Sequence, residues 1–422
     1  MAKLAGAFAG ALVLSLFLSA CARDQKVAQK AALTLKERVD ASDRADFVRA
    51  EARAEQIWKD VRRFYRSHGY APAWIEGRRP GPEASELINA VHAAREEGLD
   101  PEDYDLKALE VLRTEKSRNP FKKDALLPEQ VAEADLRLTY MFLRYATHVL
   151  LGRVEPSEVD PHWFGQQRRM DLVDLLNRAL DSGDVAEALR SVLPRHAQYG
   201  ALKRELARYR EIAERDVSAE ERVAQMELNL ERWRWLPEDL GERYVIVNVP
   251  TFQLQAVEQG KVVLAMRVVA GKADETPTPI FSDEMTEVVF SPYWWVPTSI
   301  LRKEIIPAVL RDPDYLARHD LEVVQNGQVV SPASVDWTDT DLRVQVRQRP
   351  GAKNSLGLHA GREQHVALKR RIPVYIVYAT AWVDEAGGGQ VIFSPDIYGH
   401  DKKHRALLGL HRPKSTPAAR EP

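Results

Sequence analysis

The feature that most constrains this chain is a change of apolar period at Pro237. Before it, apolar residues recur at helical steps. Ile57, Val61, Phe64 and Tyr65 stand at i, i+4, i+7 and i+8, and Leu136, Tyr140, Leu143, Thr147 and Leu150 follow steps of 4, 3, 4 and 3. Each set lies on one face of a helix. Leu87, Val91 and Ala94 mark another helix that Gly98-Leu-Asp-Pro101 ends, and shorter helices are expected at 171–192 and 198–215. After Pro237 the apolar residues alternate, as in strands buried on one face. Tyr244–Val249 is the first strand. Leu254–Val257 and Val262–Val269 flank a hairpin signal at Glu258-Gln-Gly-Lys261, and Thr286–Phe290 follows. Pro297–Arg318 returns to a helical pattern, Leu342–Val346 alternates again, and Val374–Tyr378 is expected to pair with Gln390–Phe393 across Asp384–Gly389. The reading is α+β: an N-terminal α-helical scaffold domain over 46–215, then a mostly β domain over 216–411 with a helical capping insert, and a tail over 412–422.

The 422 residues include 45% hydrophobic and 29% charged types, enough apolar content for a real core. Sixty Lys and Arg against 62 Asp and Glu give a net charge of -2, which argues against nucleic acid as a partner. The first residues differ from the rest. Lys3 precedes the apolar run Leu4–Ala20, a pattern that reads as a secretory signal over residues 1–20. Leu18-Ser-Ala-Cys21 resembles the lipobox of bacterial lipoproteins, which implies a lipid anchor on Cys21 and attachment to a membrane. An uncleaved span is the alternative, but the apolar run is short for one. Ala22 after Cys21 implies the outer membrane of a Gram-negative envelope, facing the periplasm. Residues 21–45, charged and Ala-rich without Gly or Pro, read as anchor and stalk. Cys21 is the sole cysteine, so no intramolecular disulfide and no cysteine-bearing zinc site can form.

The second half resembles the large periplasmic L,D-transpeptidases. Stretches that carry the resemblance include Leu228-Asn-Leu-Glu-Arg-Trp-Arg-Trp-Leu-Pro237, Met266-Arg-Val-Val-Ala-Gly-Lys272, Pro292-Tyr-Trp-Trp-Val-Pro297, Arg347-Gln-Arg-Pro-Gly351, Thr380-Ala-Trp-Val-Asp384 and Asp396-Ile-Tyr-Gly399. In the helical half, Phe142–Tyr145 and Gly152–Val154 resemble that family's scaffold. The resemblance implies a β-sandwich catalytic domain, peptidoglycan stem peptides as partners and no cofactor. It also implies a cysteine thiolate that attacks the stem tetrapeptide, releases D-alanine and passes the acyl group to a diaminopimelate amine, giving a 3-3 cross-link. The family signature is a His, a spacer, then Ser-any-Gly-Cys. It is absent from this sequence. Asn354-Ser-Leu-Gly357 runs almost directly into Gly361-Arg-Glu-Gln-His365, so the catalytic block is missing as a unit, with the join near Leu358–Ala360. A second gap, where these enzymes carry a small peptidoglycan-binding module, is expected near Arg215–Ser218. The sandwich is therefore truncated, and catalysis is not expected.

Other candidates are few. Ser355 and His359 stand four apart near the join, but a Ser–His pair needs a third group and an oxyanion hole, so loop polarity is the plainer reading. His400, His404 and His411, with Asp401, lack the spacing of a helical zinc pair and read as a solvated tail; no metal site is expected. Tyr293, Trp294 and Trp295 are the one binding candidate. In the resembled family this region borders the donor groove, and exposed aromatics stack on sugar faces, although aromatic clusters more often fill cores. If interior strands are missing, edges and part of the core should be exposed, unless Leu342–Val346 re-pairs beside Val374–Tyr378.

Overall fold

The structure, a computed structural model, describes residues 24–109, 126–165, 167–339, 343–356, 363–384 and 388–409. The chain divides into two compact units. One comprises the residues up to Ser282 and from Val374 onward, the other Asp283–Pro373. Cys21, the join at 358–360, His359, His411 and the 412–422 tail lie outside the described residues.

In the first unit the helix Pro128–Leu151 is buried almost all round, from Val131 to Leu150. A helix without a polar face must sit at the centre of its domain. Pro128 occupies its first turn, where a missing N–H costs nothing. Gly152 ends it at φ 82°, and a Cβ there would stand 2.5 Å from Trp235 Nε1, so the position excludes any side chain. Around this helix pack Ala54–Ser67, Pro82–His92, Leu172–Ser182 and Val185–Ser191. The helix Ala54–Ser67 buries the expected Ile57, Val61, Phe64 and Tyr65. Asp135, wholly buried, accepts hydrogen bonds from Tyr65 Oη at 2.7 Å and from the backbone of Ala73 and Trp74 at 2.9 and 2.8 Å. That one carboxylate fixes the turn after the Ala54–Ser67 helix.

The expected stalk needs correction. Residues 24–40 are helical, and Ala31, Leu35 and Val39 are fully buried in the helical core. Their spacing of four places them on one stripe, which the surrounding charge concealed. The expected boundary at 215 also falls inside a packed layer. The helices Ala197–Ala213 and Glu220–Trp233, joined by the short turn Val217–Ala219, share one core with the sheet through Leu202, Leu206, Met226, Leu230, Ile246 and Val377.

The sheet places strands in the order Trp163–Phe164, Ile280–Phe290, Gln364–Val377, Arg243–Asn248, Gln253–Glu258 and Lys261–Arg267. The hairpin between the last two turns at Gln259 and Gly260, both at positive φ, which suits the right-handed twist of the strands. Val374–Val377 runs parallel to Val245–Asn248. This corrects two expectations. Gln390–Phe393 pairs with Ala381–Asp384, not with Val374–Tyr378. Nor does the stretch around Val346 lie beside Val374–Tyr378, because Gln345–Gln348 pairs within the second unit. Lys261–Arg267 is the end strand of the sheet and is exposed at every position, with Val263 57% and Leu264 49% accessible.

The second unit holds an antiparallel sheet in the order Gln328–Val330, Leu321–Gln325, Gln345–Gln348 and Trp294–Trp295. The helical insert covers it as Thr298–Ile300, Leu301–Ile305, Ile306–Arg311 and Tyr315–Arg318. Leu301–Ile305 is a π-helical turn, in which Ile306 N–H reaches Leu301 O. Pro307 follows at once, supplies no N–H and so makes a regular ladder impossible there. Val309, Leu316, Val323 and Val346 centre this small core.

Candidate functional site

The aromatic run is divided by strand geometry. Trp294 and Trp295 pair with Gln348 and Arg347, and successive side chains on a strand point to opposite faces. Trp294 packs, half-buried, against the cap core, whereas Trp295 is 45% exposed. Tyr293, two positions from Trp295, joins it on the outer face, and the guanidinium of Arg347 lies 4.0 Å from the Tyr293 ring centre and 5.2 Å from that of Trp295. Such a cation over two ring faces is attracted by both. Arg347 Nε donates to Glu322 at 3.0 Å. Two of the three expected aromatics therefore form a shelf with Arg347, and the third serves the core. Arg347 was not a sequence candidate, since nothing in the order of residues announces which strand lies beside Trp295.

The turn that follows is tightly pinned. Gln348, buried, donates to His319 O and Lys353 O at 2.9 and 2.8 Å and accepts from Ser355 N–H and Oγ–H at 2.9 and 3.1 Å. Asn354 donates to Pro292 O and Arg349 O, each at 3.0 Å. The Ser355 hydroxyl is thus occupied in holding a turn, as loop polarity predicts.

The histidines near the C-terminus require a correction. His400, Asp401 and His404 are buried on the helix His400–Leu407, which is docked and not a solvated tail. Asp401 accepts from Arg232 Nη1 at 2.6 Å and from Thr380 Oγ1 at 2.8 Å. Asn229 bonds both the backbone and the hydroxyl of Thr380, each at 3.0 Å. His400 Nε2 lies 3.3 Å from Asp160, beside the Tyr378 ring. His404 has no exposed surface, stacks at 5.0 Å on Trp235, and finds no partner for either ring nitrogen. Burial, reinforced by Arg232, Arg153 and Arg234, pushes its pKa well down, so it is neutral. An eight-residue run of charged and apolar residues looks solvated in sequence; the buried Arg232 that pairs with Asp401 is remote in the chain. Among the described residues, no three His, Cys, Asp or Glu side chains converge as metal ligands.

A helical scaffold followed by a β domain with a helical insert defines a two-part α+β protein. Residues 59–206 match the scaffold domain family, and residues 242–375 match the L,D-transpeptidase catalytic domain family. A Haemophilus influenzae protein described as "Putative L,D-transpeptidase" is 23% identical over 405 residues, covering 81% of this chain and 78% of the relative. The chain is thus similar to L,D-transpeptidases in both its scaffold and its catalytic-domain regions. Its sole cysteine, Cys21, lies outside both matched ranges. Among the described residues, no helix is long and apolar enough to cross a membrane.

Proposed function

We propose that this protein is an envelope lipoprotein of the L,D-transpeptidase family that contacts peptidoglycan without cross-linking it. The observation that carries the reading is the lack of any cysteine between residues 242 and 375, the range that matches the catalytic domain. Acyl transfer of the family's kind needs a nucleophile that is ionised near neutral pH. Ser355 is a poor substitute, because its hydroxyl already donates to Gln348. In this reading residues 1–20 are a signal, Cys21 carries the lipid, and the protein faces the periplasm from the outer membrane. Tyr293 and Trp295 form the exposed shelf that would meet stem peptides, while Trp294 serves the cap core. Incubation of the full chain with disaccharide-tetrapeptide dimers, followed by mass spectrometry, should yield neither 3-3 dimers nor D-alanine; either product refutes the silent assignment. Retention of the full chain on purified sacculi should fall in Trp295→Ala, and equal retention removes that aromatic from the site. Incorporation of labelled fatty acid should be lost in Cys21→Ser.

A further inference from the structure

Arg347 is held firmly, yet most of its donors are unused. Its guanidinium lies between the rings of Tyr293 and Trp295, and its Nε is bonded to Glu322. No described residue accepts a hydrogen bond from its two terminal nitrogens, and the side chain is 23% exposed, so that edge of the fork meets solvent. Around it, Arg349 stands 3.9 Å from the Glu322 carboxylate, Lys353 and Arg349 stand 3.7 and 3.6 Å from Asp320, and Glu363 accepts from Tyr293 N–H at 2.9 Å, so that three cations meet three carboxylates. A clamped, planar fork with two parallel N–H edges fits a carboxylate in bidentate geometry.

We propose that Arg347 is the residue by which this shelf recognises a carboxylate, with the exposed face of Trp295 carrying the apolar or sugar body next to it. The inference rests on the peptidoglycan-contact reading and adds the chemical group that is read. Two sources in that polymer carry such a group: the terminal D-alanine of a stem peptide, and the lactyl ether of muramic acid where the stem has been removed. Clamping restrains the guanidinium before the ligand arrives, so little side-chain freedom is lost on binding. The fork also explains why a lysine in its place would not suffice, since an ammonium offers no paired edge.

Binding is measured on the full chain by tryptophan fluorescence and calorimetry. The probes are a D-alanine-terminated stem tetrapeptide as free acid and as C-terminal amide, and N-acetylmuramic acid against N-acetylglucosamine. The expected result is a preference of about tenfold for the acid in at least one pair, and the pair that shows it names the source. Arg347→Lys, which keeps the charge, should reduce that preference to about threefold or less. Equal affinities within both pairs overturn the proposal, and so does an undiminished preference in both Arg347→Lys and Arg347→Gln. Retention on sacculi with no acid preference rejects only the role of Arg347. An acid preference without retention on sacculi rejects the peptidoglycan reading and leaves the carboxylate site standing.

Discussion

Trp294 and Trp295 are adjacent in sequence and differ in role, and this can be tested one side chain at a time. Trp294 packs on the cap core beside Val323 and Val346, so Trp294→Ala should destabilise the protein by about 2–3 kcal/mol, below the loss for a fully buried ring. Trp295 is 45% exposed and gains mainly from Arg347, so Trp295→Ala should cost under about 1 kcal/mol. Denaturant unfolding of each variant checks the order, and a reversed order contradicts the assignment of faces. His404 gives a second residue-scale prediction. Its pKa is depressed in the folded chain, below the ordinary 6.5, chiefly by burial. As pH falls through 6.5 the unfolded chain takes up a proton that the folded chain refuses. The stability from this site is therefore complete above about pH 6.5 and is lost progressively below it. Arg232, Arg153 and Arg234 oppose a proton there, and Asp401 is already paired with Arg232. Between pH 7 and pH 5 the melting temperature should fall further in the wild type than in His404→Leu; parallel curves contradict this account.

At the scale of elements, the end strand Lys261–Arg267 is exposed at every position. An end strand with free N–H and C=O groups and exposed Val263, Leu264 and Met266 is a template for pairing with another chain. Leu264→Lys should leave the melting temperature within the range of a surface change, about 0.5 kcal/mol, while reducing concentration-dependent association seen by light scattering. An unchanged association would show that this strand is not the sticky element. The helices were legible in the sequence because a period of 3.6 is local: Ile57, Val61, Phe64 and Tyr65 announce their face without reference to any other segment. The Gln259–Gly260 hairpin was legible for the same reason. Strand partners were not. Gln390–Phe393 alternates equally well for either neighbour, and its pairing with Ala381–Asp384 follows from chain closeness and from Gln225, which bonds both Thr380 O and Ser394 O. The shelf was half legible: aromatics show in sequence, but Arg347 reaches them only through the register of a sheet.

For the molecule as a whole, the scaffold and catalytic-domain matches occur together with no cysteine in residues 242–375. The helical domain keeps a continuous core from Ala31 to Val192, and the helices Ala197–Ala213 and Glu220–Trp233 still pack on the sheet. The buried Arg232–Asp401 pair ties the helix His400–Leu407 to that framework. The most direct measurement is intact-protein mass spectrometry of the full chain after incubation with a donor stem tetrapeptide at neutral pH. The account predicts an unchanged mass at every time point. An added acyl mass that peptide mapping places anywhere in residues 228–409 would contradict it.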